Sequence, residues 1–203
     1  MVDSRDWFGR LRDWAIRRKD SPNDGGSDAA PVDNFPACLA ITLHHEGGWS
    51  DHPKDPGKAT NQGVTLKTYS EYLKRQATAD ELRRITNGEL QEIYRGNYWR
   101  GAACDRLPRG VDLVVFDMAV NAGPGKAIQL LQSVLHVPID GRMGPQTLGA
   151  VEKSNPLHLI QAYSEERRRY YKSRPMVSVF GKGWLRRTDE VEKEAITMAE
   201  KAK

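Results

Sequence analysis

From Asn34 to the C-terminus the apolar residues recur at three- and four-residue spacing, which commits most of the chain to helices packed on one another. Phe35, Cys38, Leu39 and Thr42 share a face that runs into Glu46, and Gly47-Gly48 supplies the stop. A second helix is predicted after Thr65, carrying Leu66, Tyr69, Tyr72 and Leu73. Thr78 to Glu81 and Thr86 to Glu89 each have a hydroxyl three residues before a glutamate, the pairing that satisfies two free N–H groups at a helix start. The second of these helices runs through Ile93, Tyr94, Tyr98 and Trp99. The stretch VDLVVFDMAVNAG is a strongly apolar helix closed by Gly123, and Pro124 starts the next, with Ile128, Leu131 and Leu135. Gly144-Pro145 and Asn155-Pro156 open two more, and a last helix is placed from about Trp184 through Val191, Ala195 and Ile196. Roughly eight or nine helices, with at most a small hairpin between residues 47 and 65, predict a mainly α domain.

Composition narrows the function classes. The longest apolar run, Ala37 to Ile41, is far short of a membrane span. The start MVDSRDWFGRLRDW has no apolar core of a secretory signal, so the chain is expected to be made in the cytoplasm and to need another route out. Lys and Arg number 31 against 27 Asp and Glu, a net charge of +4 scattered among acids, so nucleic acid is not the expected partner. Cys38 and Cys104 lie in no zinc-site spacing and read as two buried thiols, with a disulfide after export left open.

The chain divides into three stretches. Residues 1–19 form a basic amphipathic helix in which Trp7, Phe8, Leu11 and Trp14 face one way among arginines. Residues 20–33, rich in Ser, Pro, Gly and Asp, read as linker, and residues 34–203 as the folded domain. The face on residues 5–19 packs on the domain itself or docks on a membrane surface or partner, and sequence leaves both open.

The chemistry gathers at the loop from Gly47 to Gly63, since long irregular loops in compact helical domains are usually functional. Glu46 precedes it on the last turn of an apolar helix. There, desolvation and the helix C-terminus both disfavour the carboxylate, as a general acid requires. Asp51 and Asp55, with Thr60 and Asn61, follow in the same loop. A neutral carboxylic acid beside an ionised one is the arrangement that glycoside hydrolysis uses.

The string HHEGGWSDHPKDPGKATNQGVT is more specific than the lone carboxylate. Glu46-Gly47-Gly48-Trp49, Asp55-Pro56-Gly57 and Thr60-Asn61-Gln62-Gly63-Val64-Thr65 resemble the signature of glycoside hydrolase family 108, a group of bacterial and phage muramidases. The likeness continues through Asn97-Tyr98-Trp99, the segment Phe116 to Gly123, and Asp140 to Pro145. Residues from about 110 to 174 are similar to the peptidoglycan-binding segment that accompanies the family. The resemblance implies a lysozyme-like, α-rich fold with a small β-hairpin or loop after the catalytic helix. It also implies cleavage of the β-1,4 bond between N-acetylmuramic acid and N-acetylglucosamine, with Glu46 as the acid. Phage-type lysozymes place an Asp and a Thr after that Glu. Here Asp55 fits the spacing and Thr60 falls one residue short, so Asn61 is its alternative. Trp49 stands where Tyr is commoner, and Lys58 stands in place of a glycine.

On this reading Glu46 protonates the glycosidic oxygen, Asp55 stays ionised, and Thr60 helps to hold a water. Asp51 is the other candidate for the second carboxylate. Trp49, Asp51, Asn61, Tyr98, Trp99 and Asn121 are the expected saccharide contacts. Asp117, buried on an apolar helix, needs a polar partner and is read as structural first. His44-His45-Glu46 lacks the second histidine of a zincin, so no metal and no cofactor is expected. The protein is read as a monomer acting on peptidoglycan, in the periplasm or outside, after holin-dependent or specialised export. A wall-binding or secretion-assisting protein of the same fold without activity is the alternative.

Overall fold

The computed structural model describes residues 33–50 and 59–202. The helix expected over 1–19, the linker up to residue 32, and Asp51, Asp55 and Lys58 lie outside the described residues. Asp33, at the end of the expected linker, pairs with Arg95 at 2.6 Å.

The described residues form nine α-helices and a two-stranded hairpin. In chain order these are α1 (Phe35–His44), β1 (Thr60–Asn61), β2 (Val64–Thr65), α2 (Leu66–Leu73), α3 (Ala79–Arg83) and α4 (Asn87–Tyr94). A π-helical turn (Arg95–Arg100) and a 3-10 turn (Cys104–Arg106) lead to α5 (Val111–Ala122), α6 (Pro124–Val134), α7 (Pro145–Glu152), α8 (Pro156–Lys172) and α9 (Val177–Glu200). Both predicted capping boxes are present, opening α3 and α4, and Asn155 caps α8 by accepting from Leu157 and His158 N–H. Gly123 closes α5 at φ 87°.

The hairpin is tight because Gln62 and Gly63 both hold positive φ, 47° and 76°, the conformation a two-residue turn needs to match strand twist. Thr60 pairs with Thr65 and Asn61 with Val64. Ser50 bonds to Thr60 through both backbone groups at 2.8 Å, which adds Ser50 to the edge of the small sheet.

The core is built around α5, whose residues from Val111 to Ala119 are all buried. It packs against α1, α6, α8 and α9. Phe35, Trp99 and Phe116 meet edge to face at centroid distances of 5.4 to 5.8 Å. Cys38 and Cys104 are buried free thiols, and burial pushes both above the ordinary thiol range.

α8 and α9 run antiparallel, as the pairings of Tyr171 with Trp184 and of Arg168 with Asp189 show. α9 begins at Val177, seven residues before the expected start near Trp184. Val177, Val179, Gly181 and Gly183 have weak intrinsic helix preference, so local sequence undercounts this end. The helix nonetheless runs through it: Phe180 contacts Trp184 one turn along at 5.7 Å, and Trp184 stacks on Tyr171 of α8 at 5.2 Å.

Candidate active site

Glu46 lies two residues beyond α1, its N–H bonded to Leu43 O at 3.2 Å. Sequence reasoning placed it on the helix, leaning over apolar core. The structure corrects this: its carboxylate meets a guanidinium. Arg187 Nη1 donates to Glu46 Oε1 at 2.8 Å. The remaining donors of Arg187 fork onto Asp117, Nε reaching Oδ2 at 3.0 Å and Nη2 reaching Oδ1 at 2.8 Å. Arg167 Nη2 approaches Asp117 Oδ2 from the other side at 2.6 Å. Two carboxylates and two guanidiniums thus alternate from Glu46 inward, so each buried charge faces an opposite one.

Asp117 has no exposed surface. Burial pushes its carboxyl up, but Arg167 and Arg187 outweigh burial and hold it at about 2. Arg187 is held well above the ordinary arginine value, where Asp117 and Glu46 overcome the burial that opposes its charge. Beyond Arg167, the Tyr171 hydroxyl accepts from Arg167 Nε at 3.3 Å and donates to Asn121 Oδ1 at 2.7 Å. The chain of contacts therefore runs from Glu46 to exposed Asn121.

The hairpin turn presses on the same carboxylate. A Cβ at Gly63 would stand 3.0 Å from Glu46 Oε2 and collide with the Tyr94 hydroxyl, so only glycine lets the turn come this close. Tyr94 itself donates to Gln62 O at 2.8 Å and fixes the turn from below. Tyr98 leans on Tyr94 at 5.4 Å, half-buried. Burial first, and the Glu46 charge second, raise the Tyr98 phenol above its ordinary value, as both do for Tyr94.

The expected site residues therefore separate. Glu46 and Tyr98 come together, with Asn121 linked through the buried network. Trp49 is half-buried with the Arg83 guanidinium 5.1 Å above its ring. Thr60 opens β1 and pairs with Ser50, and Asn61 is buried as a tether, its Nδ2 donating to Leu82 O at 3.1 Å and Arg83 O at 3.2 Å. Trp99 lies in the core, 3% exposed, away from any saccharide surface. The π-helical turn explains the split, since it sends Trp99 inward to Phe35 and Phe116 and leaves Tyr98 beside Tyr94.

Sequence reasoning missed Arg167, Arg187, Tyr94 and Gly63. A signal existed for the arginines: each occupies a position on an otherwise apolar stripe, Arg167 between Tyr163 and Tyr171, Arg187 between Trp184 and Val191. A cation on such a stripe needs a buried anion, and Asp117 on the buried helix α5 is that anion.

A mainly α domain with a carboxylate after its first described helix, a short hairpin beside it and long helices behind is lysozyme-like. Comparisons with known proteins agree. Residues 39–123 match the family described as Glycosyl hydrolase 108, and residues 126–189 match the family described as Predicted Peptidoglycan domain. The solved structure of Brucella abortus SagA is similar, with a TM-score of 0.75 and 38% identity over 83% of this chain and 97% of that one. No curated protein matches. The chain belongs to glycosyl hydrolase family 108, a glycoside hydrolase with peptidoglycan as the substrate its two segments indicate.

Proposed function

We propose that the protein is an N-acetylmuramidase that cleaves the β-1,4 bond between N-acetylmuramic acid and N-acetylglucosamine, with Glu46 as general acid. The observation that carries this reading is the setting of Glu46. One carboxylate oxygen is pinned by Arg187, and the other, beside the Gly63 turn, bonds to no described residue. A carboxyl held by one oxygen presents the other in a fixed direction, which proton transfer to a glycosidic oxygen demands. In the reaction the proton leaves Glu46, the bond from the anomeric carbon to the glycosidic oxygen breaks, and the departing sugar keeps the proton as a hydroxyl. Asp55 stays ionised and faces the positive charge developing at the anomeric carbon, with Thr60 beside the water that completes hydrolysis. Trp49, Tyr98 and Asn121 contact the glycan, and the protein acts outside the cytoplasm after holin-dependent or specialised export. Among the described residues no helix is long and apolar enough to cross a membrane.

Digestion of purified peptidoglycan followed by mass analysis of the fragments tests the bond. N-acetylmuramic acid at the new reducing ends supports the proposal. N-acetylglucosamine there assigns the other glycosidic bond, and wall pelleting with no fragments assigns a binding protein.

A further inference from the structure

The two matched families meet at residues 123 to 126, yet the strongest contacts at the Glu46 site cross that boundary. Glu46 and Asp117 belong to the glycosyl hydrolase segment; Arg167 and Arg187 belong to the segment named for peptidoglycan. A module that only bound the wall would have no reason to place two nearly fully buried arginines against carboxylates of its neighbour. Buried charges cost several kcal/mol each in desolvation, and removing one partner leaves the other uncompensated, so these pairs tie the two segments into one unit.

We propose that Arg187 is a positioning residue for Glu46, and that α8 and α9 complete the hydrolytic site rather than forming a separate wall-binding module. This rests on the reading of Glu46 as the acid. Arg187 is fitted for the task because its planar fork engages two carboxylates at once. Nε and Nη2 lock onto Asp117, which fixes the plane of the guanidinium and aims Nη1 at Glu46 Oε1. Arg167 holds Asp117 from behind, and Tyr171 bonds to Arg167 Nε. Glu46 is thereby oriented from the far end of the chain, while Gly63 and Tyr94 border its other oxygen.

Among the described residues, few groups face Glu46. Arg187 comes from α9 with Asp117 of α5 behind it, Tyr94 comes from α4, and Tyr98 from the π-helical turn. Neighbouring His45 faces Glu190, with Nδ1 3.6 Å from its carboxylate. Both phenols are raised above their ordinary values and stay neutral through the working range.

The test compares wild type, Arg187→Met, Arg187→Lys and Glu46→Gln on purified peptidoglycan, with melting curves for each. The proposal expects Arg187→Met to pellet with the wall as wild type does while kcat falls roughly tenfold to a hundredfold at little changed KM. Arg187→Lys restores kcat only in part, since it keeps the charge and loses the fork. If Arg187→Met does not fold, the lysine variant decides alone. A drop in kcat at little changed KM supports the proposal, and wild-type kcat in a folded protein overturns it. Loss of wall pelleting with kcat intact also overturns it and returns α8 and α9 to a binding role. A folded Glu46→Gln that still hydrolyses refutes the acid assignment itself, whatever the arginine variants do.

Discussion

Arg187 Nη1 and Glu46 Oε1 lie 2.8 Å apart across 141 residues of sequence, joining the helix nearest the C-terminus to the carboxylate that opens the loop. The pair turns a fold of many short helices into one site, because each end of the chain must be in place for the other to be oriented.

Gly63→Ala is expected to cut hydrolysis by roughly tenfold or more while the helices persist. Its φ of 76° costs an alanine about 1 to 3 kcal/mol, and the new methyl meets the Tyr94 hydroxyl and Glu46 Oε2. Circular dichroism and initial rates on peptidoglycan check this together. Unchanged activity would mean that the turn does not constrain the acid.

Tyr98 and Trp99 are neighbours in sequence with opposite fates. Trp99→Ala removes a core side chain packed on Phe35 and Phe116 and should destabilise by about 3 to 5 kcal/mol, read from denaturant melts. Tyr98→Ala should leave the melt nearly in place and raise KM severalfold. The reverse pattern would contradict the placement of the π-helical turn.

Asp55→Asn and Asp51→Asn separate the two candidates for the second carboxylate. The account expects the first to lower kcat by roughly a hundredfold or more and the second to change it little, since only an ionised group stabilises the developing cation. A large loss in Asp51→Asn with Asp55→Asn active would exchange their roles.

Two buried aspartates on α5 make opposite contributions to the pH dependence of stability. Burial pushes Asp112 up to about 6, against the bonds it accepts from the Asn34 side chain and from Gly110 and Leu113 N–H. A carboxyl raised in the folded state stabilises fully below its unfolded value near 4 and loses that contribution as pH rises through about 6. Asp117, held at about 2, stabilises above an unfolded value near 4 and loses its contribution as pH falls toward 2. In Asp112→Asn the new amide nitrogen replaces Oδ2 and meets Asn34 Nδ2, so the Asn34 amide must turn over to offer Oδ1, which in wild type is buried with no bond to any described residue. Relative to wild type, this variant should gain roughly a few degrees of melting temperature between pH 4 and 7. A difference that stays flat over that range would show that Asp112 titrates normally.

Much of this architecture was legible locally. The capping residues Thr78, Thr86 and Asn155 and the stop at Gly123 act within one helical turn, so sequence alone places them. The start of α9 was not legible, because Val177 to Gly183 have weak helix preference and the helix is anchored to α8 by Trp184 on Tyr171. The site was half legible. Glu46 stands out by the glycines after it, but what it touches depends on residues 141 positions away. Asp117 announced only that a partner must exist; that two arginines share it follows from the packing of α8 and α9 on α5.

The central claim, that Glu46 is the acid of a muramidase, is tested most directly by fragment release from purified peptidoglycan by wild type and by Glu46→Gln. The variant's fold is checked by circular dichroism and its wall binding by pelleting. The account predicts N-acetylmuramic acid reducing ends from wild type and, from a folded variant that still pellets with the wall, release lowered by roughly a thousandfold or more. A folded Glu46→Gln that releases the same fragments at a comparable rate would contradict it.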